Sequence, residues 1–126
     1  AESLSDSINS TGDEFNAFVD PDEQYIIFSG YKRSDGYGSG DLYISKKNKK
    51  GEWQAAKHLD TLINSFRLDY CPYVTPHKKY PFFTSSRPVN LRHENRPLTY
   101  DELKKSLNST GNGVDDIYWV KFNINW

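Results

Sequence analysis

Arg87, Arg92, His93 and Arg96 crowd one stretch of the chain, and guanidinium groups gathered this way can grip a carboxylate or a uronic acid through paired N–H bonds. Tyr31, Tyr37 and Trp53 add flat aromatic faces of the kind that stack on sugar rings. Each set has a plainer use, the basic residues as a solvated loop making salt bridges and the aromatics as filler between packed sheets. Arg87, Arg92, His93, Arg96, Tyr31 and Tyr37 are the candidate ligand contacts.

The remaining reactive residues gather no chemistry. His58, His77 and His93 show neither His-x-His nor HExxH spacing, so no metal site is indicated. Asp13, Glu14, Asp20, Asp22 and Asp35 carry oxygens that calcium favours, but no EF-hand spacing is present and turn formation is the simpler role for such residues. Cys71 is the single cysteine; it excludes an internal disulfide and is expected to be a buried thiol in a strand. No carboxylate pair, nucleophile motif or phosphate-cradling loop is found, so no catalytic residue, metal or cofactor is assigned.

Elements that position these side chains must come from a chain rich in aromatics, with nine Tyr, seven Phe and three Trp and no Met, a balance that favours strands over helices. Sixteen basic residues against 17 acidic ones leave no global field for nucleic acid. No apolar run approaches the ~18 residues of a membrane span, and no signal-peptide pattern is read in these residues. The chain opens on Ala-Glu-Ser, as a processed or excised chain would.

The strongest signal is an internal repeat. Ile8-Asn9-Ser10 returns as Ile63-Asn64-Ser65, and at the same offset Val19 meets Val74, Pro21 meets Pro76, Tyr25 meets Tyr80 and Phe28 meets Phe83. A third block follows each copy, GDLYIS from Gly40 and DDIYWV from Asp115. Leu4 to Ser10 resembles Leu59 to Ser65, so the chain is expected to open on the tail of an earlier unit.

Within the first copy, FNAFV alternates as a half-buried strand does. Asp20-Pro21-Asp22-Glu23 reads as a turn, QYIIFSG as a returning apolar strand, YKRSDGYGSG as a polar glycine-rich link and DLYISKK as a third strand. EWQAAKHL from Glu52 reads as a fourth. The run Lys46, Lys47, Lys49, Lys50 is expected to guard a strand edge. Pro81 falls inside the second copy's apolar strand, which predicts a bulge or unpaired edge nearby.

These phrases resemble the PD40, or WD40-like, β-propeller repeat of TolB-like proteins. The first copy matches at Pro21-Asp22, Tyr25, Phe28-Ser29, Arg33 and Gly40-Asp41-Leu42-Tyr43. The second matches at Pro76, Tyr80, Phe83, Ser85-Ser86-Arg87 and Asp116-Ile117-Tyr118. The resemblance implies an all-β fold of four-stranded antiparallel propeller-type blades, a partial propeller over 1–126. Blade one is expected at about 8–62 and blade two at about 63–126, with a short helical insertion at about 88–113. The family's Asp-Gly turn is Asp22-Glu23 here and His77-Lys78 in the second copy. Lacking glycine, both are expected to be type I turns.

In the insertion, Thr99 and Glu102 form a capping-box pattern. Leu98, Leu103 and Leu107 share a helical spacing, Lys104 and Lys105 suit the last turn, and Gly111 or Gly113 is expected to end the helix. The helix is expected to pack on a blade edge, or to serve as a lid or partner contact. Two blades leave sheet faces without partners, so further blades are expected, from a longer chain or from copies of the same chain, unless the insertion folds over one face. Residues Ala1 to Ile8 are a candidate for a missing outer strand. The function implied is a non-catalytic binding or scaffold module of an exported TolB-like propeller, periplasmic or secreted, contacting a protein or glycan through its loops. The alternative is a piece of a carbohydrate-active lyase or hydrolase.

Overall fold

The structure, a computed structural model, describes residues 1–89 and 96–121. It is mostly β, with two antiparallel sheets and one short helix among these residues. The first sheet has the order β1-β2-β3-β4, built from β1 (Asp13–Val19), β2 (Tyr25–Tyr31), β3 (Asp41–Lys46) and β4 (Lys57–His58). The second has the order β5-β6-β7, built from β5 (Asp69–Val74), β6 (Pro81–Ser85) and β7 (Asp116–Trp119), with helix α1 (Tyr100–Leu107) between β6 and β7. Among the described residues no helix is long and apolar enough to cross a membrane.

The sequence repeat is also a structural one. At the offset that carries Ile8 to Ile63, β1 matches β5, β2 matches β6, and both first hairpins carry a register shift, between Phe15 and Phe18 and between Tyr70 and Tyr73. Asn16 (φ 48°) and Cys71 (φ 51°), the left-handed residues of the two bulges, occupy matched positions. Leu42 stands opposite Ser29 as Ile117 stands opposite Thr84.

The main core lies between the units. Tyr25, Ile27, Leu42 and Ile44 of the first meet Leu59, Ile63, Val74 and Phe83 of the second. A smaller cluster of Ile8, Ile26, Phe28 and Tyr43, flanked by Trp53 and Ala56, lies within the first unit. β2 and β3 are buried along nearly their whole length, as a strand covered on both faces must be.

Several expectations are met in altered form or corrected. The turns close with Glu23 N–H donating to Asp20 C=O and Lys78 N–H to Thr75 C=O, each at 2.7 Å, and neither Asp22 nor His77 has a positive φ, in keeping with type I; it is the next residues, Glu23 (φ 54°) and Lys78 (φ 56°), that enter the left-handed region despite their side chains. Both hairpins demand this, since Asp20 N–H must still reach Tyr25 C=O at 3.0 Å and Thr75 N–H must reach Tyr80 C=O at 3.1 Å. A register shift does lie near Pro81, between Tyr70 and Tyr73 on the facing strand, but the first hairpin carries the same shift without a proline; Pro81 itself is the first residue of β6, where a missing donor is harmless, and its C=O accepts from Val120 N–H. Cys71 is exposed, because the bulge turns it away from the core. The fourth strand shrinks to Lys57–His58 plus an isolated Lys47–Trp53 bridge. Residues 1–8 form no strand; Ser7 C=O accepts from Ala56 N–H, and Ile8 N–H turns back to Ser5.

Helix α1 starts as expected. Thr99 accepts from Glu102 N–H, and the Glu102 carboxylate accepts from Thr99 N–H at 2.8 Å. It ends earlier than the glycines, at Leu107, where Asn108 caps it. No residue of α1 is buried, so it does not pack on the sheet edge, and Leu98, Leu103 and Leu107 are exposed.

Candidate functional site

Each unit is closed by an arginine held over two rings and against a carboxylate. In the first, Arg33 Nη1 donates to Glu14 Oε1 at 2.8 Å and to Ile8 C=O at 3.0 Å. Its guanidinium lies 4.6 Å from the centroid of Tyr43 and 5.7 Å from that of Phe28. In the second, Arg87 Nη2 donates to Asp69 Oδ1 at 2.8 Å and to Ile63 C=O, with its guanidinium 5.1 Å from Phe83 and 5.3 Å from Tyr118. The ring pairs stack alike, with centroids 6.0 Å apart for Phe28–Tyr43 and 6.1 Å for Phe83–Tyr118. Burial raises both tyrosines above the usual phenol range; Tyr43 is pushed further by donating to Asp35 at 2.9 Å, and Tyr118 by the nearby Asp116 charge.

The two units are joined by polar contacts as well as by the core. Asn64 Oδ1 accepts from Leu42 N–H at 2.7 Å, and its Nδ2 donates to Leu42 C=O at 3.0 Å and Leu59 C=O at 2.9 Å. Lys78 Nζ reaches Asp20 Oδ2 at 3.0 Å and Asp22 Oδ2 at 2.8 Å. Its pKa is raised by the hydrogen bonds to Asp22 and then Asp20. Asp20 is fully buried, where an unpaired carboxylate would be costly.

The glycine-rich link is folded against β3 rather than free. Asp41 Oδ2 accepts from Tyr37 N–H at 2.8 Å and Gly38 N–H at 3.4 Å. A Cβ on Gly38 would come within 2.4 Å of the Phe66 carbonyl, so the close approach of link and second unit requires glycine there.

The sequence-derived ligand contacts are dispersed in role. Arg87 is the second unit's closing arginine. Arg96 forks onto Glu102, at 2.9 Å and 2.7 Å; this pair, with the Thr99 N–H, lowers the Glu102 carboxyl to about 2. Arg92 and His93 lie outside the described residues. Tyr31 is exposed beneath Lys32, whose ammonium is 5.1 Å from the ring centroid. Tyr37 is exposed and meets His58 edge-on, with ring centroids 4.3 Å apart. Among the described residues no group of three or more His, Cys, Asp or Glu is gathered as metal ligands.

One feature was not evident in sequence. Ile44, Lys46, Gln54, Ala55 and Lys57 line a cleft of about 360 Å3 on the edge of the first sheet. Burial, and then the neighbouring Lys57 charge, lowers the pKa of Lys46. In the sequence Lys46 reads only as part of the basic run Lys46, Lys47, Lys49, Lys50. What makes it part of a cleft is the short β4: Gln54 N–H still reaches Lys46 C=O at 2.8 Å, but the regular pairing with β3 resumes only at Lys57, and no local motif encodes that.

Comparison of the chain with protein-family models, with curated proteins and with solved structures finds no match in any of the three.

Proposed function

We propose that this chain is a non-catalytic binding or scaffold module built of propeller-type blades of the TolB-like, exported kind, which contacts a protein or glycan through its loops. The observation that carries this reading is the duplicated arginine closure. Arg33 with Glu14 and Arg87 with Asp69 stand at 2.8 Å in each unit over the same ring pair. Groups whose types suit catalysis are thereby spent on holding each unit, and the same arrangement written twice is architecture. Supporting the blade reading are the matched three-strand registers of the two units and the apolar core between them. In this reading the uncovered sheet faces are met by further blades, from a longer chain or from copies of itself.

At the surface lie Tyr31 and Tyr37, Arg96 in its fork with Glu102, and the cleft lined by Lys46 and Lys57. Two ammonium groups beside Gln54 suit an acidic sugar or peptide. The test is a glycan array together with lyase and hydrolase assays on acidic oligosaccharides. Binding without bond cleavage is expected. Cleavage of any acidic oligosaccharide would replace this reading with that of a carbohydrate-active enzyme, and absence of binding to glycans and to proteins alike would remove it.

A further inference from the structure

Each half of the interface between the units recurs, uncovered, on the other unit. The second unit covers Leu42 and Ile44, each 2% exposed, while their matches Ile117 and Trp119 are 77% and 61% exposed. In the opposite direction Val74 is 3% exposed beneath the first unit, and its match Val19 is 48% exposed. Leu59 is buried and its match Leu4 exposed; Tyr25 is buried and its match Tyr80 exposed. The chain therefore carries one socket at its second unit and one plug at its first, each in the register of the filled pair, with Leu4 and Val19 repeating Leu59 and Val74 on the plug and the larger Phe82 and Trp119 standing for Ile27 and Ile44 in the socket.

The polar contacts follow the same rule. Asn9 Nδ2 already donates to Leu4 C=O at 2.7 Å, as Asn64 Nδ2 donates to Leu59 C=O. Asn64 spends its Oδ1 on Leu42 N–H. The residue matched to Leu42 is Ile117, which stands in the same register on β7, and no strand pairs with the far edge of β7 among the described residues. Charge also fits, with its sense reversed. Lys78 of the second unit binds Asp20 and Asp22 of the first; at the uncovered faces the matched residues are Glu23 on the plug and Thr75 and His77 on the socket, an acceptor facing two groups able to donate. Glu23 is at present paired with Lys47 at 3.2 Å in an exposed contact, which is readily exchanged.

We propose that copies of this chain bind one another head to tail, the Leu4–Val19 face of one seating on the Tyr80–Ile117–Trp119 face of the next. The contact is heterologous, so it generates a ring if the rotation closes and a filament if it does not. This deepens the module reading and rests on it, but its test is separate: glycan or protein binding is not read, only the mass of the assembly.

The experiment is sedimentation or light scattering of the 126-residue chain over a wide concentration range, with two variants, Val19→Lys on the plug and Trp119→Lys on the socket. Wild type is expected to exceed the mass of one chain as concentration rises. Each variant alone is expected to lose assembly and run as one chain. An equimolar mixture of the two is expected to recover a two-chain complex, because each retains the face the other lacks, and that recovery also shows that both variants fold. A wild type of one-chain mass throughout would overturn the proposal. So would variants that assemble like wild type, or a mixture that stays at one-chain mass.

Discussion

Asn64 Oδ1 accepts the Leu42 N–H at 2.7 Å, so a side chain of the second unit completes the backbone edge of the first. Both residues are buried. A backbone donor orphaned in such a place costs about 1–3 kcal/mol, and Asn64 serves two carbonyls as well.

Asn64→Ala is therefore expected to lower the unfolding free energy by on the order of 3 kcal/mol, seen as a lower urea midpoint with an unchanged slope. The matched change Asn9→Ala, measured at high dilution, is expected to cost less than about 1 kcal/mol, because its bonds to Leu4 and Ser3 are exposed. Equal losses from the two variants would show that Asn64 does not join the units.

The left-handed residues of the two turns give opposite expectations. A non-glycine residue in this region costs ~1–2 kcal/mol, and glycine returns ~0.5–1 kcal/mol of that through the unfolded chain. Glu23→Gly loses only an exposed pair with Lys47, so a net gain of roughly 0.5 kcal/mol is expected. Lys78→Gly relieves the same strain but strips the buried Asp20 of its cation, so a net loss is expected. Thermal unfolding of both variants checks the pair, and the same sign for both would sink the argument.

High pH should loosen the junction of the units. Burial, then the Asp20 charge, pushes the Tyr25 hydroxyl up from 10.0 to about 12, and the carboxylates of Asp22 and Asp20 push Lys78 above its usual 10.5. Both shifts are upward. Their stabilisation is thus complete below about pH 10 and is lost as the pH climbs through the folded values. Urea midpoints are expected to be level between about pH 8 and pH 9.5 and to fall towards pH 12, with Tyr25→Phe showing a shallower fall. An identical fall in that variant would remove Tyr25 as a cause.

Cys71 should react as a surface thiol. It is exposed on the β5 bulge, so a thiol reagent is expected to modify the folded chain without unfolding it. Modification only in denaturant would contradict the exposure.

Much of the strand order was legible, because alternation and turn chemistry are local. Asp20-Pro21, QYIIFSG and DLYIS form the turn and strands they spell, and the Thr99–Glu102 capping box is equally self-contained. The left-handed Glu23 and Lys78 were not legible, since their dihedrals are imposed by hairpin closure and not by their own preference. Nor was the exposure of Cys71, which depends on one extra residue in β5. The arginine closures were hidden for a further reason. Arg33 and Arg87 each match the repeat motif but stand one residue off the common offset that Glu14 and Asp69 keep, and only the fold brings Arg33 to Tyr43 and Arg87 to Tyr118. Arg87 therefore read as one of a loop cluster with Arg92, His93 and Arg96.

The insertion has a consequence for redesign. Val89 N–H meets Gly111 C=O at 3.0 Å and a Pro88–Asn112 bridge lies beside it, so the excursion leaves and rejoins the hairpin through a closed neck. β6 and β7 pair in the same frame as β2 and β3, which are connected by a far shorter segment. Cargo hung beyond that neck adds only slowly growing closure entropy, which makes this the port through which a foreign epitope or reporter peptide is carried without disturbing the ladder beneath.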